Sequence, residues 1–144
     1  MLCINVICVG SLKESYLKDA VKEYTKRLTR FCKFVITEID ESTLLKEGEQ
    51  ILKNCKGYKV ALCVEGEQMT SEELSGKIAN VSLTNSVITW IIGSSTGLNQ
   101  NVKDAADLRL SFSNMTFPHQ LMRVILLEQL YRAFTIINHV KYHK

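Results

Sequence analysis

Two stretches of this chain, LCINVICV at 2–9 and SVITWII at 86–92, are apolar almost without a break. A short, β-branched run of that kind reads as a strand covered on both faces, which commits the chain to a layered architecture around a parallel sheet. The segments between them supply the layers. Leu12, Tyr16, Leu17, Ala20, Val21, Tyr24, Leu28 and Phe31 recur at helical spacing, with lysines and arginines on the opposite face. KFVITEI at 33–39 reads as a second strand and 43–55 as a charged helix. KVALCV at 59–64 reads as a third strand, broken by Glu65-Gly66. Thr70 and Glu73 match a capping box that opens a helix through about Val81. After 86–92 come the loop GSSTG, a short helix near 99–107 and a short strand LRLSFS. Pro118 then suits the first turn of a long helix ending near Asn138.

This alternation predicts a single α/β domain over 1–144, with a mostly parallel sheet and helices on both faces. Open sheets of this type hold ligands at the carboxyl ends of their strands. That rule selects the loops at 62–68, 93–98 and 111–118.

Composition narrows the function classes. With 46% hydrophobic and 23% charged residues, the chain has enough apolar material for a core, which excludes disorder. No apolar run reaches the ~18 residues a membrane-spanning helix needs. The apolar opening has no basic leader or small-residue cleavage site, so a cytoplasmic protein is expected. The five cysteines form no C-x-x-C pair and no histidine stands at metal-ligand spacing, which predicts reduced thiols and no metal site. Charge is unevenly spread. Residues 11–34 hold seven Lys/Arg against three Asp/Glu, and 35–116 hold seven against eleven. Residues 117–144 hold four against one, together with His119, His139 and His143. Basic ends around an acidic middle suit a polyanion such as RNA, although solvated lysine faces are also common.

The last helix is apolar on nearly every side from Leu121 to Ile137, leaving a polar stripe of Arg123, Glu128 and Arg132. A helix of that kind must be covered most of the way round, so a homodimer is expected, with a central core helix in a monomer as the alternative. Gly93-Ser94-Ser95-Thr96-Gly97 matches G-x-S-x-G between a strand and a helix. It could be a hydrolase elbow, with Ser95 as nucleophile and Asp104 or Asp107 and His119 as partners. The upstream oxyanion loop of such enzymes is missing, and two glycines that let the backbone turn tightly beside a ligand account for the pattern more simply. His119, at the start of the last helix, is a candidate base, and Arg123 follows four residues later on the same helical face. Tyr142-His143-Lys144 ends the chain with a ring, an imidazole and a cation.

The run SFSNMTFPHQLMRVILLEQLYRAFTIIN and the closing YHK resemble the ribosomal large-subunit pseudouridine N3-methyltransferases of the SPOUT superfamily. The order of strands and the opening strand and basic helix are similar too. The resemblance implies an α/β fold whose C-terminal part threads a trefoil knot, and a homodimer that binds S-adenosylmethionine. Its substrate would be a pseudouridine in 23S rRNA, within the large subunit or the assembled ribosome. By matching motifs it places cofactor contacts at Leu62, at Gly93 and Ser94, and along Ser113, Asn114, Met115, Thr116, Phe117 and Pro118. It makes His119, Arg123, Tyr142, His143 and Lys144 the catalytic candidates. An RNA-binding dimer that has kept the fold and lost the transfer is the other reading. Two departures stand out: the family's second loop glycine is Ser94 here, and His139-Val140-Lys141 replace its glycine- and proline-containing turn before the tail.

Overall fold

The computed structural model describes residues 1–142. Five strands, β1 (Cys3–Val9), β2 (Lys33–Ile39), β3 (Tyr58–Gln68), β4 (Val87–Ile92) and β5 (Leu108–Ser111), pair in parallel in the order β2-β1-β4-β3-β5. The two apolar runs are the neighbours β1 and β4 near the middle of the sheet, as their two-sided hydrophobicity requires.

Alternate residues of these strands feed two separate cores. Ile4, Val6, Cys8, Ile88, Trp90 and Ile92 pack under α1 (Ser15–Leu28), α3 (Ser71–Ser82) and α5 (His119–Ile137). Ile7, Val9 and Ile91 face the other way, against Ile51 of α2 (Leu44–Asn54) and Val102 of α4 (Gln100–Ala105). The polar exceptions in the runs have work on the second face. Asn5 donates to the Asn54 carbonyl at 3.3 Å, and Thr89 donates to the Lys56 carbonyl at 2.6 Å while accepting from the Lys56 amide. They tie the last residue of α2 and the segment just after it to the sheet, giving the Asn54 and Lys56 carbonyls donors that the helix does not supply.

Two local readings are refined. The capping box forms, with Thr70 accepting from the Glu73 amide and the Glu73 carboxylate accepting from the Thr70 amide. β3 does not stop at Glu65-Gly66 but resumes after them. Leu62 and Glu67 both register with Leu110 of β5, so residues 63–66 form an excursion from the ladder. Gly66 closes it: a Cβ there would lie 2.8 Å from backbone atoms of Arg109 and Leu110.

α5 lies between α1 and α3, with Leu126, Leu127, Leu130, Ala133 and Phe134 buried. Arg123 is not part of an outer polar stripe; it points inward and is 2% exposed. The helix ends in a Schellman turn, with the His139 amide bonded to the Ile136 carbonyl and the Val140 amide to the Thr135 carbonyl at 2.8 Å. His139 takes the left-handed position of that turn at φ 55°. This is the place where the resemblance expects a glycine-containing turn, and an L side chain there costs about 1 kcal/mol. His139→Gly is therefore expected to raise unfolding free energy by roughly 0.5–1 kcal/mol in urea titrations, with an unchanged m-value.

Candidate functional site

A cavity of about 600 Å³ opens where the chain leaves β3, β4 and β5. Each wall follows from local structure. The 63–66 excursion lifts Cys63, Val64 and Glu65 out of the ladder to form one side. The loop after β4 forms the second. There the Gly97 amide bonds to the Ser94 carbonyl at 2.9 Å, and Gly97 sits at φ 90°. A Cβ on Gly93 would lie 2.5 Å from the Gly97 carbonyl oxygen, so only glycine allows the turn to close. The segment after β5 forms the third side. It is braced by the Ser111 hydroxyl donating to the Ser113 carbonyl and the Met115 amide donating to the Ser113 hydroxyl, both at 3.0 Å.

Of the expected cofactor contacts, Leu62, Gly93, Ser94, Ser113, Met115, Thr116, Phe117 and Pro118 line this cavity. Asn114 does not, and its side chain instead accepts from Gln68 at 3.0 Å. Ser94 is not in the left-handed region, so serine in place of glycine brings no backbone strain. Its hydroxyl joins Thr96 at 2.8 Å and approaches Glu47 of α2 at 3.4 Å. Glu47 is 3% exposed and also accepts from the Ser42 amide, so a buried carboxylate ties the start of α2 to the cavity loop. Sequence reading missed Glu47, because a glutamate in a helix's first turn looks like an ordinary dipole partner. It also missed Cys63, Glu65 and Lys103, which enter the wall only through the irregular end of β3 and the packing of α4. Burial pushes the Cys63 thiol above its usual range, which favours its protonated form.

The candidate catalytic residues separate into three groups. His119 lines the cavity; its Nε2 is buried without a hydrogen-bond partner and lies 4.0 Å from Glu41. Arg123 stands behind that wall, donating to Glu38 at 2.7 Å and to the Gly10 carbonyl at 3.2 Å. It clamps α5 onto the ends of β1 and β2. Burial, opposed by the positive charge of Arg123, pushes the neighbouring Cys8 thiol up to about 12. Tyr142 packs edge-on against Tyr131 with centroids 4.9 Å apart and donates to Glu128 at 3.0 Å. Residues 128–132 lie nine to thirteen positions along α5 from His119, which is about 14–20 Å at 1.5 Å per residue. Tyr142 therefore does not join its own chain's cavity. His143 and Lys144 lie outside the described residues.

The hydrolase alternative fails on geometry. Ser95 makes no hydrogen bond to His119, Asp104 accepts from Arg109 and Gln100, and Asp107 accepts from the Lys59 amide. Among the described residues no base hydrogen-bonds to Ser95, and neither Asp104 nor Asp107 orients the imidazole of His119.

Comparison with known proteins points one way. The family model described as "Predicted SPOUT methyltransferase" matches residues 2–143. The chain is 50% identical to the ribosomal RNA large subunit methyltransferase H of Bifidobacterium animalis, over 98% of this chain and 99% of that protein. Two solved structures share the fold at low identity. A probable methylase family protein from Haemophilus influenzae has a TM-score of 0.61 at 10% identity, covering 98% of this chain and 70% of that one. A Legionella pneumophila methyltransferase, solved with its bound cofactor S-adenosylmethionine, has a TM-score of 0.50 at 12% identity, covering 92% and 66%. Gly93→Ala should force the loop open and weaken binding of S-adenosylhomocysteine at least about tenfold in calorimetry, while thermal unfolding stays cooperative.

Proposed function

The chain belongs to the SPOUT methyltransferase family, and on that premise we propose that it methylates N3 of a pseudouridine in 23S ribosomal RNA, using S-adenosylmethionine. The observation that carries the reading is the convergence of three sequence-distant loops on one cavity. Its volume is in the range that encloses a nucleoside-sized ligand. Leu62, Leu98, Leu110 and Phe117 offer an apolar wall to an adenine ring and a thioether, and the loop backbones offer polar groups for the ring's edge.

S-adenosylmethionine, when bound, supplies a methyl group already activated by a positively charged sulfur. The chain's own residues have the remaining tasks of positioning the base, excluding water and stabilising charge on N3. His119 is the candidate to take the N3 proton, since it lines the cavity and its buried Nε2 has no hydrogen-bond partner. The first amides of α5 have no intrahelical acceptors, and that positive helix end favours an anion beside it. Arg123 supports this arrangement from behind, holding the first turns of α5 against Gly10 and Glu38.

The same proposal covers the assembly. Leu121 is 38% exposed, and Val124, Ile125 and Ile136 keep partly open faces on α5. A homodimer formed there would cover them and could bring the tail residues Tyr142, His143 and Lys144 of one chain to its partner's cavity. The trefoil threading of the C-terminal part belongs to this reading, as does action in the cytoplasm on the large subunit or the assembled ribosome. No helix among the described residues is long and apolar enough to cross a membrane. An RNA surface is offered by Lys18, Lys22 and Lys26, which follow one another at i, i+4 on α1, all exposed and none paired with an acid. Like charges at that spacing repel by a few tenths of a kcal/mol, a cost that phosphate contacts offset.

Mass mapping of ribosomal RNA methylated by the purified protein tests the function, and a protein that binds cofactor but adds no methyl to the pseudouridine overturns it. Removing residues 142–144 is expected to lower methyl transfer by orders of magnitude, with folding and S-adenosylhomocysteine binding retained. Changing Lys18, Lys22 and Lys26 together to glutamate should raise KM for ribosomes and flatten its salt dependence, leaving cofactor affinity unchanged.

A further inference from the structure

Among the residues lining the cavity, Glu65 and Lys103 are the two that carry a permanent charge. They come from different elements, Glu65 from the 63–66 excursion and Lys103 from α4, and meet with Lys103 Nζ donating to Glu65 Oε1 at 2.5 Å. The Glu65 side chain is 55% exposed and that of Lys103 20% exposed. The hydrogen bond from Lys103 holds the Glu65 carboxyl below its usual range. Arg109, the other cation acting on Glu65, is engaged elsewhere, donating to Asp104 and to the Lys103 carbonyl. Asp104, the acid next to Lys103 in sequence, is taken up by Arg109 and Gln100.

A solvent-facing ion pair contributes little to stability, so holding the fold together is a poor account of this one. Its position suits recognition better. An adjacent anion and cation on an otherwise uncharged wall are complementary to a zwitterion, which meets each with its opposite charge and leaves no net charge behind. S-adenosylmethionine ends in such a group, an α-ammonium and an α-carboxylate on one carbon. On the cofactor reading given above, we propose that Glu65 and Lys103 form the subsite for the methionine end, Glu65 accepting from the α-ammonium and Lys103 donating to the α-carboxylate. The apolar remainder of the cavity then takes the adenosine.

The test compares two ligands that differ in that end alone. S-adenosylhomocysteine keeps the amino-acid group, and 5′-methylthioadenosine lacks it. Both are titrated calorimetrically into the full-length protein and into the Glu65→Gln and Lys103→Met variants. Each variant should lose roughly tenfold in affinity for S-adenosylhomocysteine and keep its affinity for 5′-methylthioadenosine, which also reports that the site is folded. The double exchange Glu65→Lys with Lys103→Glu restores the ion pair with reversed polarity and should stay weak toward S-adenosylhomocysteine. Equal weakening of both ligands, no weakening of either, or full recovery in the double exchange makes the pair structural and overturns the proposal. A wild-type protein that binds neither ligand overturns the cofactor reading itself, and this subsite with it.

Discussion

β1 and β4 must be covered on both faces, and the rest of the molecule is arranged around that demand. Parallel strands of this kind leave no solvated side on which polar chemistry could sit. Asn5 and Thr89, the buried polar residues of these two strands, are used up in holding the end of α2. The polar groups that line the cavity therefore sit at or beyond the strand ends. β3 adds to this by leaving the ladder at residues 63–66, which turns the end of the sheet into a wall with its own side chains.

The second constraint is the anchoring of α5. Its buried positions are apolar except for Thr135 and Arg123, and the Arg123 guanidinium reaches Glu38 and the Gly10 carbonyl. One side of the helix's first turn is thereby fixed, which sets where His119 meets the cavity. At its far end, the Schellman turn through His139 sends the chain back along the helix, and Tyr142 settles on Tyr131 and Glu128. Both ends of one helix thus carry candidate catalytic groups too far apart to act together in a single chain. That separation is the physical reason to look to a second copy.

Much of this was legible beforehand. The strand KFVITEI, the capping box at Thr70 and Glu73, and the long helix after Pro118 stand where periodicity and capping chemistry put them. The three strand-end loops selected by the parallel-sheet rule are those that build the cavity. Arg123 was harder, because its spacing fits an outer stripe as readily as an inward anchor. Only the position of β2 beside β1, which brings Glu38 next to Gly10, settles which one it is.

Local patterns determined the elements, since each rests on interactions within a few residues: alternation along a strand, a cap at a helix start, a glycine at a tight turn. The resemblance at the C-terminal end extended this to the family. Tertiary structure alone decided which elements are neighbours, and with them every contact between distant residues. Glu47 with Ser94, Lys103 with Glu65 and Arg123 with Glu38 each join residues far apart in sequence. No local signal marks such pairs, because each residue alone is an ordinary charged side chain. What makes them specific is the order β2-β1-β4-β3-β5 and the break in β3, both set by how the whole chain buries its apolar strands.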